Sequence, residues 1–161
     1  MIHDDASPVS PRGARRRALL AASVGTAVTT LLSPPVRATP QAMEAAIRAF
    51  TGGRAPLRGG VVLDIPELHE SGNAVPVTVS VDSPMTEQEH VRAIALFNER
   101  NPQPDVAVFH LSPRSGRARV VTRIRLGDTQ QVVAVAQMSD GSFRSASAEV
   151  IVTLPACVET S

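Results

Sequence analysis

The chain has 161 residues, enough for one domain with accessory segments. Its apolar fraction of 43% is ample for a core, but aromatics are only 2%, four Phe with no Trp or Tyr, so Val, Ile, Leu and Ala must fill it. The basic residues are all Arg and the net charge is +1, which gives no electrostatic case for nucleic acid, and the lack of Trp and Tyr removes most stacking platforms of a single-strand binder.

Residues 1–38 read as an export signal. RGARRR at 12–17 is a positive n-region, and ALLAASVGTAVTTLL at 18–32 is an apolar h-region. Val36 and Ala38 then fit the −3 and −1 positions of a cleavage site, which predicts cleavage after Ala38. The apolar run is short for a membrane span of roughly 20 residues, and its Thr and Ser content argues against a permanent anchor. Arg16-Arg17 followed by Ala18-Leu19-Leu20 fits twin-arginine recognition; a general secretory signal with one extra Arg is the alternative. Either route predicts a periplasmic protein with no membrane attachment after cleavage. The mature part holds 11 Arg against 13 acids, a net of −2, so the basic excess belongs to the signal.

Thr39 can cap a helix with Pro40 at its first position. Met43, Ala46, Ile47 and Phe50 follow as one apolar stripe, and Gly52-Gly53 ends it. The spacing predicts an amphipathic helix over 40–51, docked on the domain or on a partner. A glycine-flanked linker follows over 52–60, so 39–60 is a helix-and-linker segment.

From Val61 the pattern is β. Val61, Leu63 and Ile65 alternate, as do Val75, Val77, Val79 and Val81. The run VRAIALF at 91–97 is ambiguous; a helix over 85–97 is conceivable, but its neighbours favour a strand. Asn101-Pro102-Gln103-Pro104 is a loop, and 106–111 a strand. Val120, Thr122, Ile124 and Leu126 give one strand a core face, with Arg119, Arg123 and Arg125 on the other. Residues 131–138 form a buried strand, and Asp140-Gly141 is a two-residue hairpin signal. The last strand places Ala146, Ala148, Val150, Val152 and Leu154 on one face. About seven strands over 61–154 predict an all-β, immunoglobulin-like antiparallel β-sandwich with a short N-terminal helix.

Pro155 cannot donate to a ladder, so the segment 155–161 is expected to leave the sandwich as an arm, with Ala156 onward projecting. It carries Cys157, the only cysteine. An unpaired cysteine in an exported protein suggests intermolecular pairing or a free reactive thiol. A free thiol ionises near pH 8.5, no base stands beside this one in sequence, and Glu159 opposes ionisation. The thiol is thus poorly equipped as an enzyme's own nucleophile and suited to being acted on by other proteins. An exported non-carrier module whose cysteine only forms an intermolecular disulfide is the other reading.

No other constellation competes. His69, His90 and His110 lie about 20 residues apart, and His3 leaves with the signal, so no zinc spacing arises and no metal or other cofactor is expected. Asp64, Glu67 and Glu70 are near in sequence, but a strand end and a loop do not fix an acid/base pair. Arg119, Arg123 and Arg125 are a solvated face, with an anion site or partner surface as the alternative.

Several stretches resemble SoxY, the sulfur-carrier family of periplasmic thiosulfate oxidation: FTGG at 50–53, LDIPELHESGNAVPVTVSVDSPM at 63–85, NPQPDVAVFHL at 101–111, TRIRL at 122–126, VVAVAQMSDGSF at 132–143 and AEVIVTLPAC at 148–157. The resemblance implies a sandwich paired in a heterodimer with a SoxZ-like β-sandwich subunit. It implies that Cys157 is the covalent sulfur attachment site on a swinging arm. A SoxAX-like haem enzyme would load thiosulfate there, a hydrolase release sulfate, and a sulfur dehydrogenase oxidise the remaining sulfane. The chain would itself be a substrate-bearing carrier, not an enzyme. Many members carry Gly-Gly-Cys-Gly-Gly at this place; here Pro155-Ala156 precede the cysteine and Val158-Glu159 follow it.

Overall fold

Helix α1 (Pro40–Thr51) forms where the sequence places it. The Thr39 hydroxyl accepts a hydrogen bond from the Ala42 N–H at 3.1 Å, and the helix stops at Gly52 in the left-handed conformation. The computed structural model describes residues 39–156, and the expectations for the signal segment and for Cys157 lie outside them.

Among the described residues, nine strands form two sheets. The larger contains β1 (Leu57–Arg58), β3 (Leu68–Ser71), β5 (Val91–Asn98), β6 (Asp105–His110), β8 (Gln130–Met138) and β9 (Phe143–Leu154). Its order is β1-β9-β8-β5-β6, with β3 also on β9. The smaller sheet runs β2 (Val61–Asp64), β4 (Val75–Val81), β7 (Arg119–Ile124). The sheets enclose the main core, where Val77 and Val79 of β4 meet Ile94 and Leu96 of β5 and Val132 and Ala134 of β8. This is the expected immunoglobulin-like β-sandwich.

The run at 91–97 is a strand, and its ambiguity has a physical cause. Helix α1 covers the outer face of the larger sheet, where Met43, Ile47 and Phe50 pack against Phe97, Val135 and Phe143. Strands β5 and β8 are therefore buried on both faces and lose the polar alternation that marks a half-exposed strand. The apolar stripe of α1 is the side it turns to the sheet.

Three expectations need correction. The 52–60 segment is not only linker, because Leu57 and Arg58 form β1, parallel to β9 at Arg144 and Ser145. Strand β3 adds a second short parallel pairing, Leu68↔Ile151 to Ser71↔Leu154. Both are too short to show a period. The β8–β9 hairpin exists, but with a three-residue loop over 139–141 and not a two-residue turn. The Met138 N–H donates to the Ser142 carbonyl at 2.9 Å, and Gly141 takes the left-handed conformation at φ 82 that lets the loop close. Finally, Leu154 does not share the burial of Val150 and Val152, with which the alternation groups it: it is 67% exposed, because β9 outruns the core at its end.

The hairpin carries a pH-dependent contact. The Asp140 carboxylate accepts the Ser142 N–H at 2.8 Å. The Ser142 side chain and then its backbone N–H hold the Asp140 carboxyl below its ordinary pKa. A depressed carboxyl pKa means that the stabilisation is present above the ordinary carboxylate range and is lost as pH falls through the lowered value. The melting temperature of wild type should thus exceed that of Asp140→Ala at pH 7, and the difference should shrink on acidification. A difference that stays constant down to pH 2 would remove the carboxylate from this account.

Candidate functional site

Strand β9 delivers the chain to the expected site. Its first part pairs with β8, from Gln137↔Phe143 to Gln130↔Val150, and its last part pairs with β3. The Thr129 hydroxyl extends the first ladder by accepting the Val152 N–H at 3.0 Å. Pro155 then interrupts bonding because it has no N–H. The chain does not leave the domain there. Ala156 is 5% exposed, and its N–H donates to the Leu126 carbonyl at 3.1 Å.

Leu126 connects this exit to a second segment. Its own N–H donates to the Gly72 carbonyl at 2.8 Å, so one residue's backbone bridges Gly72 and Ala156. Gly72 begins the 3-10 turn Gly72–Ala74 between β3 and β4, where the Ser71 hydroxyl accepts the Asn73 N–H. The turn packs so closely that a Cβ on Gly72 would overlap the Leu126 carbonyl oxygen and lie 2.7 Å from the Ala156 nitrogen. Both obstacles are backbone, so neither can rotate away.

The Leu126 loop is itself held by side-chain amides. The Asn101 Nδ2 donates to the Arg125 carbonyl at 2.8 Å, and its Oδ1 accepts the Gly127 N–H at 3.0 Å, gripping both neighbours of Leu126. Gln130 is buried; its Nε2 donates to Asn101 Oδ1 at 3.0 Å and its Oε1 accepts the Arg100 N–H at 2.9 Å. The exposed Arg100–Asp128 ion pair beside them adds little.

This corrects the expectation that Ala156 projects: it is buried and bonded to the Leu126 carbonyl. Cys157 lies outside the described residues, as do Arg16 and Arg17. Gly72, Leu126, Asn101, Gln130 and Ala156 had no assigned role in the sequence. The signal available for them was weak: an isolated Gly in HESGNA and an Asn opening NPQP.

The other candidates stay apart. His69 lies on β3, with its Nδ1 2.7 Å from the Ser71 carbonyl oxygen. His90 Nδ1 is 3.1 Å from the Thr86 carbonyl, and His110 is exposed at the end of β6. Asp64, Glu67 and Glu70 are exposed, and among the described residues no three His, Cys, Asp or Glu side chains form a metal-binding group. Arg119, Arg123 and Arg125 are exposed as expected, the first two on edge strand β7. Close to the exit, Leu68 and its register partner Ile151 leave apolar side chains exposed, as does Leu154.

The model of the family described as sulfur oxidation protein SoxY matches residues 47–157. Among solved structures, the sulfur carrier protein SoxY from Chlorobium limicola f thiosulfatophilum is 32% identical, with a TM-score of 0.58, over 71% of this chain and 98% of that one. A superoxide reductase (neelaredoxin) from Ignicoccus hospitalis is 19% identical, with a TM-score of 0.52, over 58% of this chain and 80% of that one. The superoxide reductase from Nanoarchaeum equitans is 11% identical, with a TM-score of 0.51, over 60% of this chain and all of that one. These two likenesses show the sandwich fold alone. No curated protein sequence matches. The sandwich and the SoxY match together define a sulfur-oxidation carrier protein. The chain belongs to the SoxY family.

Proposed function

We propose that this chain is a periplasmic carrier that holds thiosulfate-derived sulfur covalently on Cys157 while partner enzymes act on it. One observation carries the reading: the family match extends to residue 157, and that residue is the chain's only cysteine. The export signal over 1–38, cleaved after Ala38 and recognised through Arg16 and Arg17, supports the location.

The chemistry needs only a thiol that others can reach. Thiosulfate and the Cys157 thiol join as a cysteine S-thiosulfonate, forming one S–S bond, releasing one proton and giving two electrons to a SoxAX-like haem enzyme. Water then cleaves the S–SO3 bond in a hydrolase, releasing sulfate and leaving a persulfide on Cys157. A sulfur dehydrogenase then oxidises that sulfane to a sulfonate, taking the oxygens from water and passing the electrons to an electron-transfer protein. Family membership brings sulfur-oxidation partners in general; a heterodimer with a SoxZ-like subunit is the assembly proposed here. The exposed Leu68, Ile151 and Leu154, beside the exit of β9, suit an apolar partner contact.

Intact mass after incubation with thiosulfate and the oxidising haem partner tests this. Wild type should gain one thiosulfate-sized adduct, and Cys157→Ser none. A disulfide-dimer mass without any adduct would sink the carrier reading and leave the cysteine as a tether.

A further inference from the structure

We propose that the outer face of the smaller sheet, with the arginines of β7 along its edge, is a docking surface for the acidic face of a transient enzyme partner. The proposal rests on the reading that partner enzymes act on this chain, and it says where one of them binds. Charge is unevenly spread along the sequence. Residues 111–126 hold five Arg (Arg114, Arg117, Arg119, Arg123 and Arg125) and no acid. The rest of residues 39–156 holds six Arg and twelve acids. The strand period turns the basic run into a surface. Val120 and Ile124 of β7 lie in the core, so Arg119, Val121 and Arg123 share the outward face, successive side chains about 7 Å apart. Arg117 and Arg125 flank them beside buried Ala118 and Leu126, and Arg114 lies in the 3-10 turn Pro113–Ser115 just before. All five are exposed, and among the described residues none forms an ion pair.

The neighbouring strands complete the face. Register sets Ser80 beside Arg119, Thr78 beside Val121 and Pro76 beside Arg123, with Val62 of β2 beyond Ser80. Val121 is 68% exposed and Val62 64%, so apolar and small side chains lie among the cations. The acids on this face are Asp64, two strands from Val121 on β2, and Asp82, just past the end of β4. Helix α1 covers the outer face of the larger sheet, whereas the residues of this one stay exposed or half-buried. Protection of an open edge does not demand this arrangement. A charge of either sign on β7 would deter a stray strand, but here one sign continues past both ends of the strand. A positive field over a partly apolar face steers an acidic protein to it. The face is separate from the apolar Leu68, Ile151 and Leu154 of the larger sheet, which suit a lasting contact. A charged face that salt can screen suits a partner that must come and go.

Arg119→Glu/Arg123→Glu in the full chain tests this, because it keeps the edge of β7 charged while reversing the sign of the face. Arg119→Gln/Arg123→Gln removes the charge without adding repulsion and serves if the reversal does not fold. Arg48→Glu/Arg58→Glu makes the same change of net charge on α1 and β1 and is the control. The readout is the association rate constant with the haem enzyme, the hydrolase and the sulfur dehydrogenase, each separately. It is taken at about 0.01 M and about 1 M salt, where the screening length falls from about 30 Å to about 3 Å. With at least one enzyme, wild type should associate about tenfold faster at the lower salt. The reversal should lose about tenfold there together with most of the salt dependence, the Gln variant should fall between, and the control should stay within about twofold of wild type. Unchanged association of both β7 variants with all three enzymes overturns the proposal. An equal loss in the control assigns the effect to net charge and also overturns it. So does salt-sensitive self-association or binding to phosphatidylglycerol vesicles in place of any enzyme, which would make the occupant a second copy or a membrane. Docking is read here without sulfur transfer. A wild type that associates through β7 yet gains no thiosulfate adduct therefore overturns the carrier reading and leaves the docking surface standing.

Discussion

Phe97→Ala should lower the free energy of unfolding by about 3–5 kcal/mol, the range for losing a buried phenylalanine. Phe97 is 2% exposed and lies on the outer face of the larger sheet, just after an irregularity in the β5–β6 register. Its ring meets Phe50 of α1 edge-on, with centroids 6.0 Å apart, and Phe50 makes a similar contact with Phe143 at 5.9 Å. Edge-on pairs of this kind add about 0.5–1.5 kcal/mol beyond area. With few aromatics in the chain, three of its four Phe gather in this one layer, so no other large side chain can refill the gap. Urea unfolding checks the figure through a shift in midpoint at unchanged slope. Amide exchange over α1 should rise at the same time, because the helix loses its principal anchor. Phe50→Ala should be strongly non-additive with Phe97→Ala, since each removes the same contact. A loss below about 1 kcal/mol would mean that Met43, Ile47 and Phe143 hold α1 without it.

That helix also shows why some of the fold was readable and some was not. Its stripe, its Thr39 cap and its glycine stop are local signals, each acting within a few residues, and all three hold in the structure. The alternating valines of β4 read equally well, because one face meets the core and the other meets solvent. Strand β5 was ambiguous because the helix that buries its second face lies some 40 residues earlier, and no local pattern records that. Strands β1 and β3 were missed for a related reason. They are defined by parallel partners on β9, at Arg144 and from Ile151 to Leu154, and not by their own composition. The site divides the same way. The single cysteine and the proline before it are visible in the chain. The burial of Ala156 depends on Gly72 and Leu126, 84 and 30 positions away, through backbone groups that every residue but proline possesses.

The likeness to superoxide reductases separates fold from function. A sandwich of this shape recurs at 11% and 19% identity in proteins that bear a different activity in their names. The frame therefore assigns nothing by itself. What distinguishes this chain is the SoxY match over 47–157 and the way β9 runs past the core to a fixed exit.

Leu126→Ala should separate the core from the backbone bonds that hold Ala156. The Leu126 side chain is fully buried in the main core, and truncating it should cost about 2–5 kcal/mol. Its N–H and carbonyl, which hold Gly72 and Ala156, do not depend on the side chain. The Asn101 grip on Arg125 and Gly127 is also untouched. The variant should therefore unfold at lower denaturant concentration yet, while folded, keep Ala156 protected up to its reduced global stability. Its rate of sulfur loading should match wild type at temperatures well below the melt. Gly72→Ala, whose Cβ would strike that backbone, should instead lower Ala156 protection in the folded protein. If Leu126→Ala instead frees Ala156 as strongly as Gly72→Ala, Ala156 is held by side-chain packing and not by the Leu126 backbone.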